Sequence, residues 1–400
     1  MSRSAVIVDV VRTPLGARNG TLREWHPVDL AALTLRALAT RSDLDPALVD
    51  DVIMGCVTQV GEQACNVGRN AVLGAGWPES VPSTTVDRQC GSSQQALHFA
   101  AQGVIAGAYD VVVAAGVEVM SRVPIGAAVA NGMKQSPYAP SIIERYIAVG
   151  GLQPQGISAE RIADRWGITR EAADAFSIES HRRAARATAD GRFANEIVPV
   201  PRTTGARSVA PRGGRATVKP MTADEAIRDD ASREAFAALK PAYAPDGTIT
   251  AANSAQIADG AAAALIMSDE MAQRLGLRPW ARFHAFALAG VDPVTGLTGP
   301  IPATQRVLER AGLTIDRMDA IEIHEAFAAV VLAWAEELHP DMARVNPNGG
   351  AIALGHPLGC SGARQLATLL NELERSGGRF GLLTMSAAGG LANATIIERL

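Results

Sequence analysis

Displacing this chain against itself by about 270 residues brings three pairs of segments into register in the same order, and nothing else in it narrows the fold so much. LDPALVDDVIMG (44–55) falls on LTIDRMDAIEIH (313–324), CGSSQQALHFA from Cys90 falls on CSGARQLATLL from Cys360, and VVVAAG (111–116) falls on GLLTMS (381–386). Two similar halves are expected, roughly 1–118 and 270–400. A duplicated α/β unit places its ligand site where the strand ends of its halves meet.

The hydrophobic pattern supplies the class. Residues 5–11 are an apolar, β-branched run that stops at Arg12, Thr13 and Pro14, and 49–56 and 111–115 read as further strands. Residues 27–39 carry helical spacing through Leu30, Leu33, Leu35 and Leu38, and 66–75 read as a second helix. Strands alternating with helices predict layered α/β architecture with a largely parallel sheet. At 400 residues the chain exceeds one core, which agrees with a duplication.

With 48% apolar residues, a net charge of −4 and no long charge run, a soluble globular protein is expected, with neither nucleic acid nor membrane as partner. Its four cysteines form no CxxC pair and no zinc spacing, so a reducing compartment is expected and no metal site. The N-terminal stretch lacks a signal-peptide pattern and no apolar run reaches a membrane span, making cytoplasm the expected location.

Between the halves the texture changes. Residues 158–189 form a charged helical run, and 201–220 are rich in glycine, proline and arginine, reading as loop. Arg202, Arg207, Arg212, Arg215 and Lys219 make a basic edge, either solvated or facing a phosphorylated ligand. An inserted cap over a site made by the two halves accounts for both.

Four loops at matching strand ends carry the candidate chemistry. In VDRQCGSSQQA (86–96) a strand-like segment runs through a small-residue turn into a helix, so Cys90 stands at a helix N-terminus where a thiolate is favoured. The bland alternative is a small buried hydrophobe. The glycine-dense loop around Gly355-His356-Pro357 lies opposite through the pseudo-repeat, which makes His356 the natural base for Cys90 and covalent acyl transfer the expected reaction. His324 opens the third loop, HEAFA, and Ser386 the fourth, SAAGG.

Together these loops resemble the thiolase family: Cys90-Gly91-Ser92-Ser93 as nucleophile loop, HEAF, Gly-His-Pro, and Ser386-Ala387-Ala388 where the family has a Cys-x-Gly loop. VRTPLG, AGVEVMSRVP (115–124), NSAQIADGAAA (253–263) and TIIERL extend the resemblance along the chain. It implies a five-layered αβαβα thiolase fold, with an N-terminal half over 1–270 that carries an inserted coenzyme A-binding loop domain at about 119–250, and a C-terminal half over 271–400. It also implies a homodimer or homotetramer, CoA thioesters as partners, and coenzyme A as a substrate with no permanently bound cofactor. Carried over by position, Cys90 would accept the acyl group and His356 would activate it. His356 and His324 would polarise the thioester carbonyl, and the N–H groups of Cys90 and Ala388 would hold a second oxyanion. Arg228 would lie near the coenzyme's nucleotide.

Two positions depart from the family. Ser386 stands where the second catalytic cysteine is usual, and an alkanol is a far weaker acid than a thiol of pKa about 8.5. Ala255 stands where many relatives have a serine on the pantetheine arm, with Ser254 as its neighbour. The leading expectation is a thiolase that cleaves 3-ketoacyl-CoA with CoA to acetyl- or propionyl-CoA and a shortened acyl-CoA. The alternatives are a condensing or acyl-transfer relative with another acceptor and a catalytically weak CoA-thioester binding protein. The acyl chain is left open, pocket size depending on how Met120, Met133 and Ile147 fold over it.

Overall fold

The structure is a computed structural model and describes residues 3–129, 136–202, 219–228 and 230–400. Met133, Arg207, Arg212 and Arg215 lie outside the described residues. The chain begins with β1 (Ala5–Arg12), β2 (Gly16–Ala17), α1 (Pro27–Arg41), β3 (Asp51–Gly55), α2 (Val67–Gly74), β4 (Ser83–Val86), α3 (Ser92–Ile105) and β5 (Val111–Val119). Four helices follow, α4 (Pro140–Tyr146), α5 (Gln155–Trp166), α6 (Arg170–Ala189) and α7 (Arg233–Ala237). Then come β6 (Ala258–Ser268), α8 (Asp269–Arg274), β7 (Ala281–Gly290), α9 (Pro300–Ala311), β8 (Ala320–Ile323), α10 (Ala328–Leu338), α11 (Ala351–Leu354), α12 (Ser361–Ser376), β9 (Phe380–Ala387) and β10 (Leu391–Arg399).

Local chemistry accounts for several boundaries. Pro27 opens α1, where a missing N–H costs nothing, and the His26 ring accepts from the Val28 N–H. Asn66 caps α2 by accepting from the Arg69 N–H. The helical run expected over 158–189 is two helices, because Gly167 in the left-handed region (φ 62°) ends α5 and Thr169 caps α6.

The strands run in the order β4-β3-β5-β6-β1-β7-β10-β9-β8, with β2 pairing β6. The sheet is mixed, not largely parallel as the alternation predicts. β4–β3, β3–β5 and β8–β9 are parallel, while β5–β6, β6–β1, β1–β7, β7–β10 and β10–β9 are antiparallel. The reason is that β6 and β10 return beside β5 and β9, each closing its half with an antiparallel strand. Within the sheet the halves are joined by two β1–β7 pairs, Val6↔Arg282 and Ile7↔Ala281. They also match: β3 beside β5 corresponds to β8 beside β9, and a single parallel bridge, Ile321↔Val345, stands where the first half has β4.

Alternation of side chains along these strands separates three cores and so five layers. Val111, Val113 and Leu265 pack outward against Leu35, Leu38 and Val72 of α1 and α2. Val112, Ile266, Leu383 and Ile397 face inward, against Leu97 and Val104 of α3 and Leu366 and Leu370 of α12. On the far side Leu382 and Ile396 pack against Val307 of α9 and Trp334 of α10. The two central helices cross closely near their N-termini. A Cβ on Gly362 would lie 2.3 Å from the Gln94 backbone nitrogen, so only glycine admits this approach. The Ala363 N–H donates to Ser93 Oγ at 3.0 Å across the same crossing.

A buried ionic cluster ties the segment between the halves to the sheet. Arg12 Nε donates to Glu196 at 2.6 Å and its two Nη atoms donate to Asp224 at 2.6 and 2.9 Å, all with 0% side-chain exposure for Arg12 and Glu196. Thr368 of α12 donates to Glu196 as well, at 3.1 Å.

Candidate active site

The site lies where α3 and α12 begin, because the strand-to-helix turns of both halves end there. Ahead of α3, Gln89 takes the left-handed conformation (φ 51°). The turn is locked by Ser92, whose hydroxyl accepts from the Arg88 N–H (2.9 Å) and donates to the Gln89 carbonyl (2.6 Å). Cys90 follows, 5% exposed. Its sulfur faces three donors, the N–H of Ala388, its own N–H and the side-chain amide of Gln155. Gln155 Nε2 is buried near the sulfur and makes no hydrogen bond of its own. Burial is the larger influence and pushes the Cys90 thiol up to about 11. Desolvation of the charged form opposes the thiolate expected from the helix end, and a group at about 11 rests as the thiol.

His356 sits on the loop before α12, and its tautomer follows from its partner. Ser361 Oγ donates to the Pro357 carbonyl (2.9 Å), so it accepts from His356 Nδ1–H (2.6 Å). Nε2 therefore carries the lone pair, buried and without a hydrogen-bond partner. The ring of His324 lies 4.1 Å away, centroid to centroid, tilted by 44°. Burial brings His324 down to about 3, with the Arg364 guanidinium adding to it. Burial, then His324 and Arg364, hold His356 well below its ordinary value. Both imidazoles are neutral at physiological pH.

Ser386 and Ala388 complete the same place. Ser386 is fully buried on β9 opposite Ala392 of β10, its hydroxyl without a partner, and His324 is directed at its backbone. Cys90, Ala388, Ser386, His324 and His356 thus form one connected group. Of the expected ligand contacts, Ser254 and Ala255 lie against the HEAFA loop, Ser254 bridging Phe327 and the Ala255 N–H donating to the Ala326 carbonyl. Ser254 donates its hydroxyl to the Thr250 carbonyl (2.6 Å). Arg228 is exposed, with its N–H held by His181 Nδ1 at 3.1 Å.

Several residues shaping the site escape a reading of the sequence alone. Glu325, the acid of HEAF, is buried and receives Ser180 (2.8 Å), Asn346 (2.8 Å) and the Ile352 N–H (3.0 Å), clamping three segments beneath His324. Asn346 also exchanges two hydrogen bonds with Ile323, and Glu118 receives the N–H groups of Val57, Thr58 and Gly359. Gln155 and Ser361 reach the reacting groups themselves. Glu325 lies in the HEAFA loop, and Asn346 and Ser361 lie at the start and near the end of the glycine-dense stretch around His356, but their partners, like those of Glu118 and Gln155, emerge only in the fold. Among the described residues no group of three or more potential ligands is placed to hold a metal, and no helix is long and apolar enough to cross a membrane.

Comparison with known proteins agrees with this geometry. The thiolase N-terminal domain model matches residues 5–270 and the thiolase C-terminal domain model residues 277–399. A steroid 3-ketoacyl-CoA thiolase of Mycobacterium tuberculosis is 48% identical over 99% of this chain and 94% of its own length. A 3-ketoacyl-CoA thiolase of Psychrobacter cryohalolentis is 45% identical over 100% and 98%. Among solved structures, the acetyl-CoA acetyltransferase of Bacillus anthracis superposes with a TM-score of 0.88 at 36% identity, covering 100% of this chain and 99% of its own. Human mitochondrial 3-ketoacyl-CoA thiolase gives 0.88 at 32%, covering 99% of each. A duplicated five-layered fold, a buried cysteine and a histidine pair at the junction of its halves, and similarity along the full length lead to one assignment: the chain belongs to the thiolase family.

Proposed function

We propose that this chain is an acetyl-CoA C-acyltransferase that cleaves 3-ketoacyl-CoA with CoA through an acyl group carried on Cys90. The observation that carries the reading is the convergence of two backbone N–H groups, those of Cys90 and Ala388, on a buried thiol that packs with Met385, Ala387 and Leu358, the chain neighbours of Ser386 and His356. In the first half-reaction Cys90 Sγ attacks the 3-keto carbon while its proton passes to His356 Nε2. The C2–C3 bond breaks, its electron pair leaves on C2 as the enolate of acetyl- or propionyl-CoA, and the proton ends on C2. His324 and His356 polarise the thioester oxygen on which that charge collects. In the second, the CoA thiol adds to the Cys90 thioester, its proton returns to Cys90, and the shortened acyl-CoA departs. The Cys90 and Ala388 N–H groups hold the carbonyl oxygen in both steps, an interaction worth several kcal/mol in acyl transfer.

Ser386 occupies the place of an acid–base thiol, and its hydroxyl is buried and unpartnered. That observation favours one second reading, in which an acceptor other than CoA discharges the acyl group. On the first reading His324 carries the proton instead. Arg228, exposed and anchored beside His181, meets the coenzyme's nucleotide, and the backbone about Ala255 lines its pantetheine arm. Four free thiols suit a reducing compartment such as the cytoplasm. The open edge of β4 offers unpaired backbone groups to a second copy, which supports a dimer or tetramer. The test is thiolysis of a 3-ketoacyl-CoA, read as acetyl-CoA formed, in wild type and in Cys90→Ala. Loss of product in the variant is expected, and unchanged thiolysis overturns the reading.

A further inference from the structure

Next to the two imidazoles the protein buries an ion pair that the chemistry above leaves unused. Arg364 Nη1 donates to Glu322 Oε2 at 3.1 Å, and both side chains are 1% exposed. Their places in the chain tie them to the site. Glu322 stands on β8 two residues before His324, whose N–H continues the ladder to Thr384, so the period of the strand puts both side chains on one face. Arg364 lies three residues beyond Ser361, on the same side of α12. The bond therefore joins the strand that presents His324 to the helix whose Ser361 holds His356.

The pair is poorly satisfied. Arg364 Nε and Glu322 Oε1 are buried without a hydrogen-bond partner. Two other carboxylates feel the guanidinium, but Glu196 is held by Arg12 and Thr368, and Glu325 by Ser180, Asn346 and the Ile352 N–H. Burial pushes the Glu322 carboxyl up against the pull of Arg364, which leaves the guanidinium incompletely neutralised. A buried ion pair with free atoms on both partners is less stabilising than apolar side chains of similar size. Violations of this kind gather at functional sites.

The charge also reaches the reacting groups. Arg364 acts on both His324 and His356 in the sense that opposes an imidazolium, and the same sign favours an anion beside them. When His356 takes the Cys90 proton, the guanidinium opposes its retention and so promotes its passage to C2. Resting on the function proposed above, we infer that Glu322 and Arg364 are positioning residues: their bond sets the His324 and His356 rings where the enolate oxygen forms, and the guanidinium favours that anion, in an arrangement that lowers the stability of the fold.

The experiment replaces the pair by apolar side chains, Glu322→Leu together with Arg364→Met, and keeps the cation in Arg364→Lys, because a single Nη1 bond is one that an ammonium can also make. Acylation of Cys90 by acetoacetyl-CoA is followed in a single turnover by intact-protein mass, and stability by chemical denaturation. The double variant is expected to unfold at the same denaturant concentration or a higher one, while its saturating acylation rate falls about thirtyfold or more and its half-saturating concentration stays within about twofold. Arg364→Lys is expected to keep the rate within about fivefold. A double variant that loses stability in step with its rate assigns the pair to folding, and one as fast as wild type detaches it from the imidazoles; either result overturns the inference. So does an Arg364→Lys rate no better than that of the double variant, or an effect confined to the half-saturating concentration. No adduct in the wild-type protein overturns the function reading and this one with it.

Discussion

His356→Ala separates a thiolate resting state from a thiol activated on demand. With its pKa at about 11, Cys90 is a thiol, and His356, well below its ordinary value, is a neutral base with Nε2 free. Between about pH 6 and 9 neither group changes state, so wild-type acylation by a 3-ketoacyl-CoA is predicted to be flat with pH. Without the imidazole the proton must leave to water before attack. At about pH 7 a thiol of that pKa is ionised in roughly one molecule in ten thousand, equivalent to about 5 kcal/mol. His356→Ala should therefore lower the acylation rate by about a thousand- to ten-thousand-fold near neutrality. The sign then follows: each further pH unit restores about tenfold, because the thiolate fraction grows with pH below the thiol pKa. Rapid-quench mass measurement of the Cys90 adduct across this range supplies both slopes. A wild-type rate that climbs tenfold per unit, or a flat profile in His356→Ala, would refute the reasoning.

Four other perturbations have definite expectations. Ser386→Cys restores an acid of suitable strength beside His324 and should speed discharge of the acyl group to CoA by about a hundredfold, with acylation changed only a few-fold; a chase with CoA reads both. Gln155→Leu removes a donor from the Cys90 sulfur, so the thiol rises further and alkylation by iodoacetamide at mildly alkaline pH should slow by about three- to tenfold, the folded state being checked by melting temperature. Gly362→Ala drives a methyl group into the Gln94 backbone where α3 and α12 cross, and should cost several kcal/mol in chemical denaturation, with Gly377→Ala, outside the crossing, as a strained but uncrowded comparison. Asp224→Ala leaves Arg12 with Glu196 as its remaining buried carboxylate partner, and a loss of about 3–5 kcal/mol in the same assay is expected.

What could be read from the amino acids divides along physical lines. The repeat at Cys90 and Cys360 foretells that α3 and α12 are equivalent, and both begin at the junction of the halves. β1, α1 and α2 follow from runs and caps that are local. β6 escapes such reading: ADGAAAALIMS has the composition of a helix, yet it is a central strand with every residue buried. Small side chains are what let it lie between layers, so tertiary packing overrides propensity there. The parallel sheet is overestimated because β6 and β10 return antiparallel and supply every antiparallel pair but β1–β7. At the site, the four loops that hold Cys90, His324, His356 and Ser386 are recognisable by residue type and position. Ser361, which sets the His356 tautomer, and Gln155, which points its amide at the thiol, are ordinary polar residues until folded. The state of the thiol is also a product of burial, which a helix-start pattern does not record.

The central claim, that an acyl group passes through Cys90 on its way from a 3-ketoacyl-CoA to CoA, is tested most directly by intact-protein mass with peptide mapping. The protein is mixed with a 3-ketoacyl-CoA and then chased with free CoA. The account predicts a mass gain equal to the shortened acyl group, located on Cys90, that disappears in the chase as the matching acyl-CoA is released. An adduct confined to another residue, or full thiolysis with Cys90 never modified, would contradict it.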